Sequence, residues 1–369
     1  MMAEGSEANS VTVTDPSPDL STEDTAFLAD PILAEFKRLT IEALTHDGSR
    51  GILAGIVGEL VEILGLAAEF QVDSHLDITE GETPSGEGLA ISPTQAAMCA
   101  EEPQRTAMFL RGLHEAIASV IETKSPHPVR VLYAGSGPFA ALAVPLMTLF
   151  PPELVRFTIL DIHPVSIKHV KSVVRRLGLA DRVDAYVVAD ACEYTIPRDS
   201  VPDIILSETM STALETEPQV AIMRHLLSQV PEAILVPESV RVDAYLVDTS
   251  DEVRVIVPES EGSADKSQPD RISLGPVFEL NAATIRSWAS LSGDRLPAAT
   301  IDIPPPPTPL YRPYLFTTIT TYGKHLLRTH DCNLTGIREI AGSEEFSVGG
   351  SVRFYYRLSE CPGLVGEGC

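Results

Sequence analysis

The sequence predicts an open α/β domain, preceded by a helical module and followed by a mostly antiparallel, β-barrel-like domain. Three observations carry that expectation. Short apolar runs at Val129–Ala134, Phe157–Leu160, Ala185–Val188 and Ile204–Leu206 alternate with helix-length segments, which means a parallel sheet with crossovers. Before Val129 the apolar residues recur at three- and four-residue steps. After Pro231 they fall in alternating or β-branched runs. The expected boundaries are 1–23 for a disordered acidic arm, 24–125 for the helical module, 126–235 for the α/β domain and 236–369 for the β-rich domain.

Taken in order, Phe27, Leu28, Ile32, Leu33 and Phe36 define one helical stripe, and Leu53, Ile56, Leu60, Ile63 and Leu64 a second. His46-Asp47-Gly48 separates them with turn chemistry. Glu80 to Gly88, rich in Gly, Pro, Glu and Ser, reads as a loop. One helix is expected from about Pro93 to Ile121, closed off by Pro126 and Pro128. The crossover helices are expected at Phe139–Phe150, Val165–Leu177 and Gln219–Gln229. Beyond Pro231, Val240–Val247, Val253–Val257, Leu315–Thr321 and Phe346–Leu358 read as strands. Glu259–Asp270 reads as a polar loop, and Pro304–Pro307 as an extended polyproline piece.

The 369 residues carry 27 basic and 52 acidic side chains, a formal net charge of −25. At 44 % hydrophobic and 21 % charged, the chain has the apolar material for a real core. Its acidity argues against nucleic acid, which needs clustered Lys and Arg, and favours cationic ligands or basic peptides. Five scattered cysteines form no CxxC pair and no His/Cys metal spacing, so no metal is expected and the thiols read as reduced. The N-terminus lacks the basic and apolar regions of a signal peptide. The apolar stretch Gly51–Phe70 carries Glu59, Glu62 and Glu69, which argues against a membrane span. The expectation is a cytoplasmic protein with neither a nucleic-acid nor a membrane partner.

Chemistry-bearing residues gather at the ends of the predicted strands. The first strand runs into Gly135-Ser136-Gly137, where missing Cβ atoms let backbone approach a ligand. The second ends in Asp161, 24 residues after Gly137, followed by Ile162. An acid at that tip commonly accepts bonds from ribose hydroxyls, the alternative being a helix cap or solvated turn. The third ends in Asp190-Ala191, where a carboxylate suits an adenine amino group. No GxxxxGK[ST] loop is present, which disfavours a nucleoside triphosphate.

This order of motifs resembles the class I S-adenosylmethionine-dependent methyltransferases, with their Rossmann-like domain. It differs from their usual pattern at Tyr133, where an acid is common, and at Phe139, where a third glycine is common. The resemblance implies S-adenosyl-L-methionine as cofactor and S-adenosyl-L-homocysteine as product. It places Gly135, Ser136, Gly137, Asp161, Ile162, Asp190 and Ala191 around that cofactor.

After the fourth strand, Ser207-Glu208 opens a loop that carries Glu215 and Glu217 before a helix. Two carboxylates converging on one site stay ionised only with a cation between them. A planar guanidinium, donating in forks, matches that geometry best. The alternative is that one acid caps the following helix. The loop resembles the double-glutamate loop of the protein arginine methyltransferases, in which two acids hold the acceptor's guanidinium. Carried over, Glu208 and Glu217 are the pair, with Glu215 as rival for second place and Glu208 also beside the cofactor. The resemblance further implies that Arg105 binds the cofactor's carboxylate, against a plain surface role.

The family's Thr-His-Trp loop has no full counterpart. Thr329-His330 supplies only the first two residues, which makes His330 a catalytic candidate and His325 a second, against structural roles for both. The missing loop and the long helical module favour free L-arginine, or a related small molecule, as acceptor. That pattern looks like the bacterial arginine methyltransferases of natural-product (streptozotocin-type, antibiotic) biosynthesis. A protein arginine remains an alternative, as does another small-molecule amine or hydroxyl, or a non-catalytic adaptor. The resemblance also implies a homodimer.

Overall fold

The computed structural model describes residues 12–14, 30–72, 77–124, 128–256, 269–340, 342 and 349–368. A short strand, β1 (Thr12–Thr14), is followed by helices α1 (Asp30–Thr45) and α2 (Arg50–Ala68). The turn at His46-Asp47-Gly48 divides the two helices where expected, and the Ser49 hydroxyl caps α2 by accepting the Gly51 N–H. Next come a hairpin of β2 (Thr83–Ser85) and β3 (Gly88–Ala90), then α3 (Pro93–Cys99) and α4 (Pro103–Thr123). The hairpin corrects the loop expected over Glu80–Gly88. The single helix expected from Pro93 to Ile121 is two, because Pro103 has no N–H to continue the first and instead opens the second.

The parallel sheet follows. Strand β4 (Val129–Ala134) leads through a loop to a short helix, α5 (Val144–Met147). The helix expected over Phe139–Phe150 is reduced to this one turn, since Ala140 takes a left-handed φ of 45° and Pro145 sits within the segment. Then come β5 (Val155–Asp161), α6 (Pro164–Arg176), β6 (Val183–Val188), β7 (Ile204–Ser207), α7 (Gln219–Gln229) and β8 (Ile234–Val236). Their spatial order is β6-β5-β4-β7-β8, all parallel, with β1 added antiparallel on the β6 edge. Thr12–Thr14, expected within a disordered arm, therefore pairs with the sheet. This is the doubly wound order 3-2-1-4-5, with its switch point between β4 and β7. It is a doubly wound, Rossmann-like domain.

Helix α2 is, among the described helices, the one long and apolar enough to cross a membrane. Its Leu53, Val57, Leu60 and Leu64 stripe is buried, and it packs on α1, α4 and α6. The β-rich part comprises β9 (Ser239–Asp248), α8 (Thr249–Ile256), β10 (Arg271–Asn281), α9 (Ala282–Ser287), β11 (Arg295–Asp302) and β12 (Tyr311–Tyr322), then β13 (His325–Leu327), β14 (Ile337–Glu339), β15 (Ser351–Arg357) and β16 (Gly363–Gly368). They form a five-stranded and a three-stranded antiparallel sheet. Phe278 of β10 stacks on Trp288 and on Tyr356 of β15, which joins the two sheets. Helix α8 corrects the strand expected over Val253–Val257 as far as Ile256, Val257 lying outside the described residues: Asp251 and Glu252 occupy its first turn, where acids favour a helix. Gly112 of α4 lies against β12, where a Cβ would stand 2.5 Å from Thr321 Oγ1. That approach ties the helices to the β-rich part.

The rest of the expected arm, Phe27, Leu28, Pro126, most of Glu259–Asp270, the start of the Phe346–Leu358 run and Cys369 lie outside the described residues.

Candidate functional site

The parallel register brings the strand ends together. Ala134 of β4 pairs with Leu160 of β5 and with Ser207 of β7, and Asp161 pairs with Val188 of β6. All these tips face one crevice at the switch point, where open α/β sheets bind ligands. A cavity of about 970 Å³, its open mouth included, occupies that crevice.

Gly135 and Gly137 take φ of 75° and 61°, in the left-handed region that favours glycine. A Cβ on Gly135 would fall 2.3 Å from Thr209 Cγ2, and one on Gly137 would fall 3.1 Å from Ala96 Cβ. Conformation favours glycine at both positions; a Cβ at Gly135 would also force Thr209 to move, and one at Gly137 would press on Ala96 by a few tenths of an ångström. The buried carboxylate of Asp161 fixes the loop. Its Oδ2 accepts the Gly137 N–H at 2.8 Å, and its Oδ1 accepts the His163 N–H at 2.8 Å. His163 Nδ1 lies 3.3 Å from the same carboxylate and Nε2 lies 3.0 Å from Thr83 Oγ1. With the proton on Nδ1, Nε2 accepts from the threonine and links β2 to the site. Ser136, Ile162, Asp190 and Ala191 line the cavity too, Asp190 also accepting the Cys192 N–H. Tyr133, where the family pattern has an acid, is a buried wall residue, and burial pushes its phenol pKa up.

Across the switch point the loop 208–217 is pinned from three sides. Gln219, fully buried at the start of α7, accepts the Thr209 N–H and hydroxyl at 2.9 and 2.8 Å and donates to the Ser207 carbonyl at 3.1 Å. From the β-rich part, Tyr356 Oη donates to the Leu214 carbonyl and Thr317 Oγ1 accepts the Ala213 N–H. From the hairpin, the Leu89 N–H donates to the Thr216 carbonyl at 2.8 Å. Ala213, Leu214 and Thr216 all hold φ near 60°, a conformation these contacts enforce.

Glu208 and Glu217 both line the cavity, as does Arg105 from α4. Arg105 Nη2 pairs with Glu208 Oε2, the two side chains being 11 % and 4 % exposed. Glu208 Oε1 is buried and has no hydrogen-bond partner among the described residues. An unpaired carboxylate oxygen in such surroundings calls for a donor, because desolvation alone disfavours it. Burial raises the Glu217 pKa to about 7, with the Arg105 charge pulling the other way.

Three of the candidates named from the sequence are placed elsewhere, among residues that do not line the cavity. Glu215 turns outward and pairs with Arg338 of β14 at 2.9 Å. His330 lies 3.1 Å from the buried Glu252, which also takes a forked bond from Arg271 at 2.6 and 2.9 Å. A buried carboxylate needs such donors, and His330 serves it rather than the cavity. His325 pairs with Glu115 of α4 at 2.7 Å. Conversely, Thr209, Gln219 and His163, together with Ser85, Ala90 and Ile91 of the hairpin region, belong to the site or its supports although no motif marks them for it. The hairpin left one trace in sequence, the Ser85-Gly86-Glu87-Gly88 turn.

No protein-family model and no curated protein matches the sequence. Among solved structures the chain is similar to one from a Trypanosoma brucei PRMT1 enzyme–prozyme heterotetrameric complex with AdoHcy. The two are 14 % identical over 70 % of this chain and 85 % of that one, with a TM-score of 0.44. It is also similar to a crystal structure of PRMT6, 11 % identical over 70 % of this chain and 95 % of that one, with a TM-score of 0.42.

Proposed function

We propose that this chain is an S-adenosylmethionine-dependent N-methyltransferase that acts on the guanidino group of arginine, with free L-arginine as the acceptor. The observation that carries this reading is the partnerless, buried Glu208 Oε1 in a cavity shared with a second carboxylate, Glu217. A guanidinium supplies the cation both acids need and donates in a fork to each.

The cavity fits the cofactor. The glycine loop offers backbone without Cβ, Asp161 and Asp190 stand at the second and third strand tips, and Arg105 supplies a cation near Glu208. Bound there, S-adenosylmethionine would supply an electrophilic methyl group. Asp161 would hold ribose hydroxyls, and Asp190 would face the adenine. Glu208 and Glu217 would fix the guanidinium plane and draw its positive charge away from the attacking nitrogen. Catalysis of this kind is alignment plus electrostatic stabilisation. The nitrogen that gains the methyl group must lose a proton, and an ionised Glu217, which lines the same cavity, is a group of suitable basicity to take it. The small-molecule acceptor is supported by the hairpin, which borders the cavity through Ser85 and Ala90 and leans on Thr216.

Glu217 makes the reading testable by pH. Its folded pKa, about 7, lies above the ordinary carboxylate value. Its contribution to stability is therefore present at low pH and is lost as pH rises through about 7. A guanidinium reverses this by favouring the ionised form. Calorimetric titration of L-arginine into the S-adenosylhomocysteine complex at pH 6, in two buffers of different ionisation enthalpy, should show release of about one proton. Affinity should rise with pH and level off above about 7. Proton-neutral binding would mean that Glu217 does not hold the guanidinium.

A further inference from the structure

Arg105 occupies an unusual place for a buried cation. It is the one Lys or Arg among the described residues lining the cavity, and its partner there is Glu208. Both side chains are nearly closed off from water. The cation also acts on Glu217, so it sits within the field of both acids. A guanidinium already lies against the acids that the reading above assigns to the acceptor's guanidinium.

Two guanidinium ions cannot share that carboxylate pair without repulsion at close range and low polarity. An arriving acceptor must therefore compete with Arg105. Displacing Arg105 alone would strand a buried, unpaired cation, which is costly. The cost vanishes if another carboxylate stands ready. S-adenosylmethionine and its homocysteine product both carry one, on the amino-acid arm. Arg105, anchored in the first turn of α4 with a long flexible side chain, has the reach to exchange partners within the cavity.

We propose that Arg105 is an internal stand-in for the acceptor, leaving Glu208 for the carboxylate of a bound cofactor, so that the acceptor binds tightly only to the cofactor complex. This rests on the guanidinium-clamp reading. Arg105 is then a positioning residue for acceptor binding as well as a cofactor contact. By linkage the coupling is reciprocal, so arginine tightens the hold on the cofactor by the same factor.

The test uses the full chain and calorimetric titration with L-arginine, with N-acetyl-arginine amide as a peptide-like second probe. Each is titrated into the free protein, the protein saturated with S-adenosylhomocysteine, and the protein saturated with 5′-methylthioadenosine. The last fills the adenosyl site but has no carboxylate. Affinity should be at least roughly 10-fold tighter with S-adenosylhomocysteine than in the other two states. In Arg105→Met, which removes the charge and keeps an unbranched apolar stem, that difference should disappear. The wild-type comparison decides the matter even where the variant does not fold. Equal affinity in all three states would overturn the proposal and leave the clamp intact. Binding of neither probe in any state, with S-adenosylhomocysteine itself bound, would bring down the clamp reading and this proposal with it.

Discussion

Glu208→Gln should lower the rate of methyl transfer by roughly 10²- to 10³-fold, the scale on which one pre-organised charge contact acts in a transition state. Glutamine keeps the shape of the side chain and removes its charge. The acceptor's guanidinium then loses the carboxylate proposed to fix its plane, and Arg105 loses its ion-pair partner Glu208. Breaking a buried pair by removing one member costs about 3–5 kcal/mol, so a fall in melting temperature should accompany the kinetic loss. A buried Arg105 without a partner also has more reason to hold a cofactor carboxylate. Binding of S-adenosylhomocysteine should therefore be kept or tightened in the variant. Steady-state turnover, thermal melting and nucleoside titration on one preparation separate these effects. Near-normal turnover in a folded Glu208→Gln protein would remove the acid from the chemistry.

The second large effect is expected at Asp161→Asn. Both carboxylate oxygens accept backbone N–H groups, from Gly137 and from His163. Asparagine can satisfy one of them and must point its own N–H₂ at the other. Leaving one buried donor unsatisfied costs about 1–3 kcal/mol. More importantly, the glycine loop loses the strut that shapes it, and the ribose hydroxyls lose a charged acceptor. The dissociation constant for S-adenosylhomocysteine should rise by about 100-fold, equivalent to two charge-assisted hydrogen bonds at the lower end of their range. Calorimetric titration reads this directly. Unchanged affinity in a folded variant would move the adenosyl site away from the strand tips.

The sheet was legible in sequence because its signal is local. Each strand is an apolar run, and parallel register carries every C-terminal tip to the same edge, so Gly135, Gly137, Asp161, Asp190 and Glu208 converge without further information. The direction of an acid inside an irregular loop is not local. Glu215 and Glu217 are two residues apart, yet Arg338 of β14 claims one and the cavity takes the other. The positive-φ turn at Ala213, Leu214 and Thr216 decides between them, and partners as distant as Tyr356 and Leu89 hold it. His330 was placed by a motif fragment, whereas the deciding contact is Glu252, a charge buried far away in the chain. The hairpin at 83–90 was hidden because Gly, Pro and Ser mark turns equally well with or without short strands beside them. Gln219 carried no signal at all, since an amide matters only once the backbone groups it bridges are in place.

Mass spectrometry of free L-arginine, after incubation with the full chain and S-adenosylmethionine, tests the central claim most directly. Arginine should gain one methyl group, with fragment ions that place it on the guanidino group, and the gain should be lost in Glu208→Gln. Unmodified arginine, with S-adenosylhomocysteine binding intact and methyl groups appearing instead on arginine-containing peptides or on another amine or hydroxyl, would contradict the assigned acceptor.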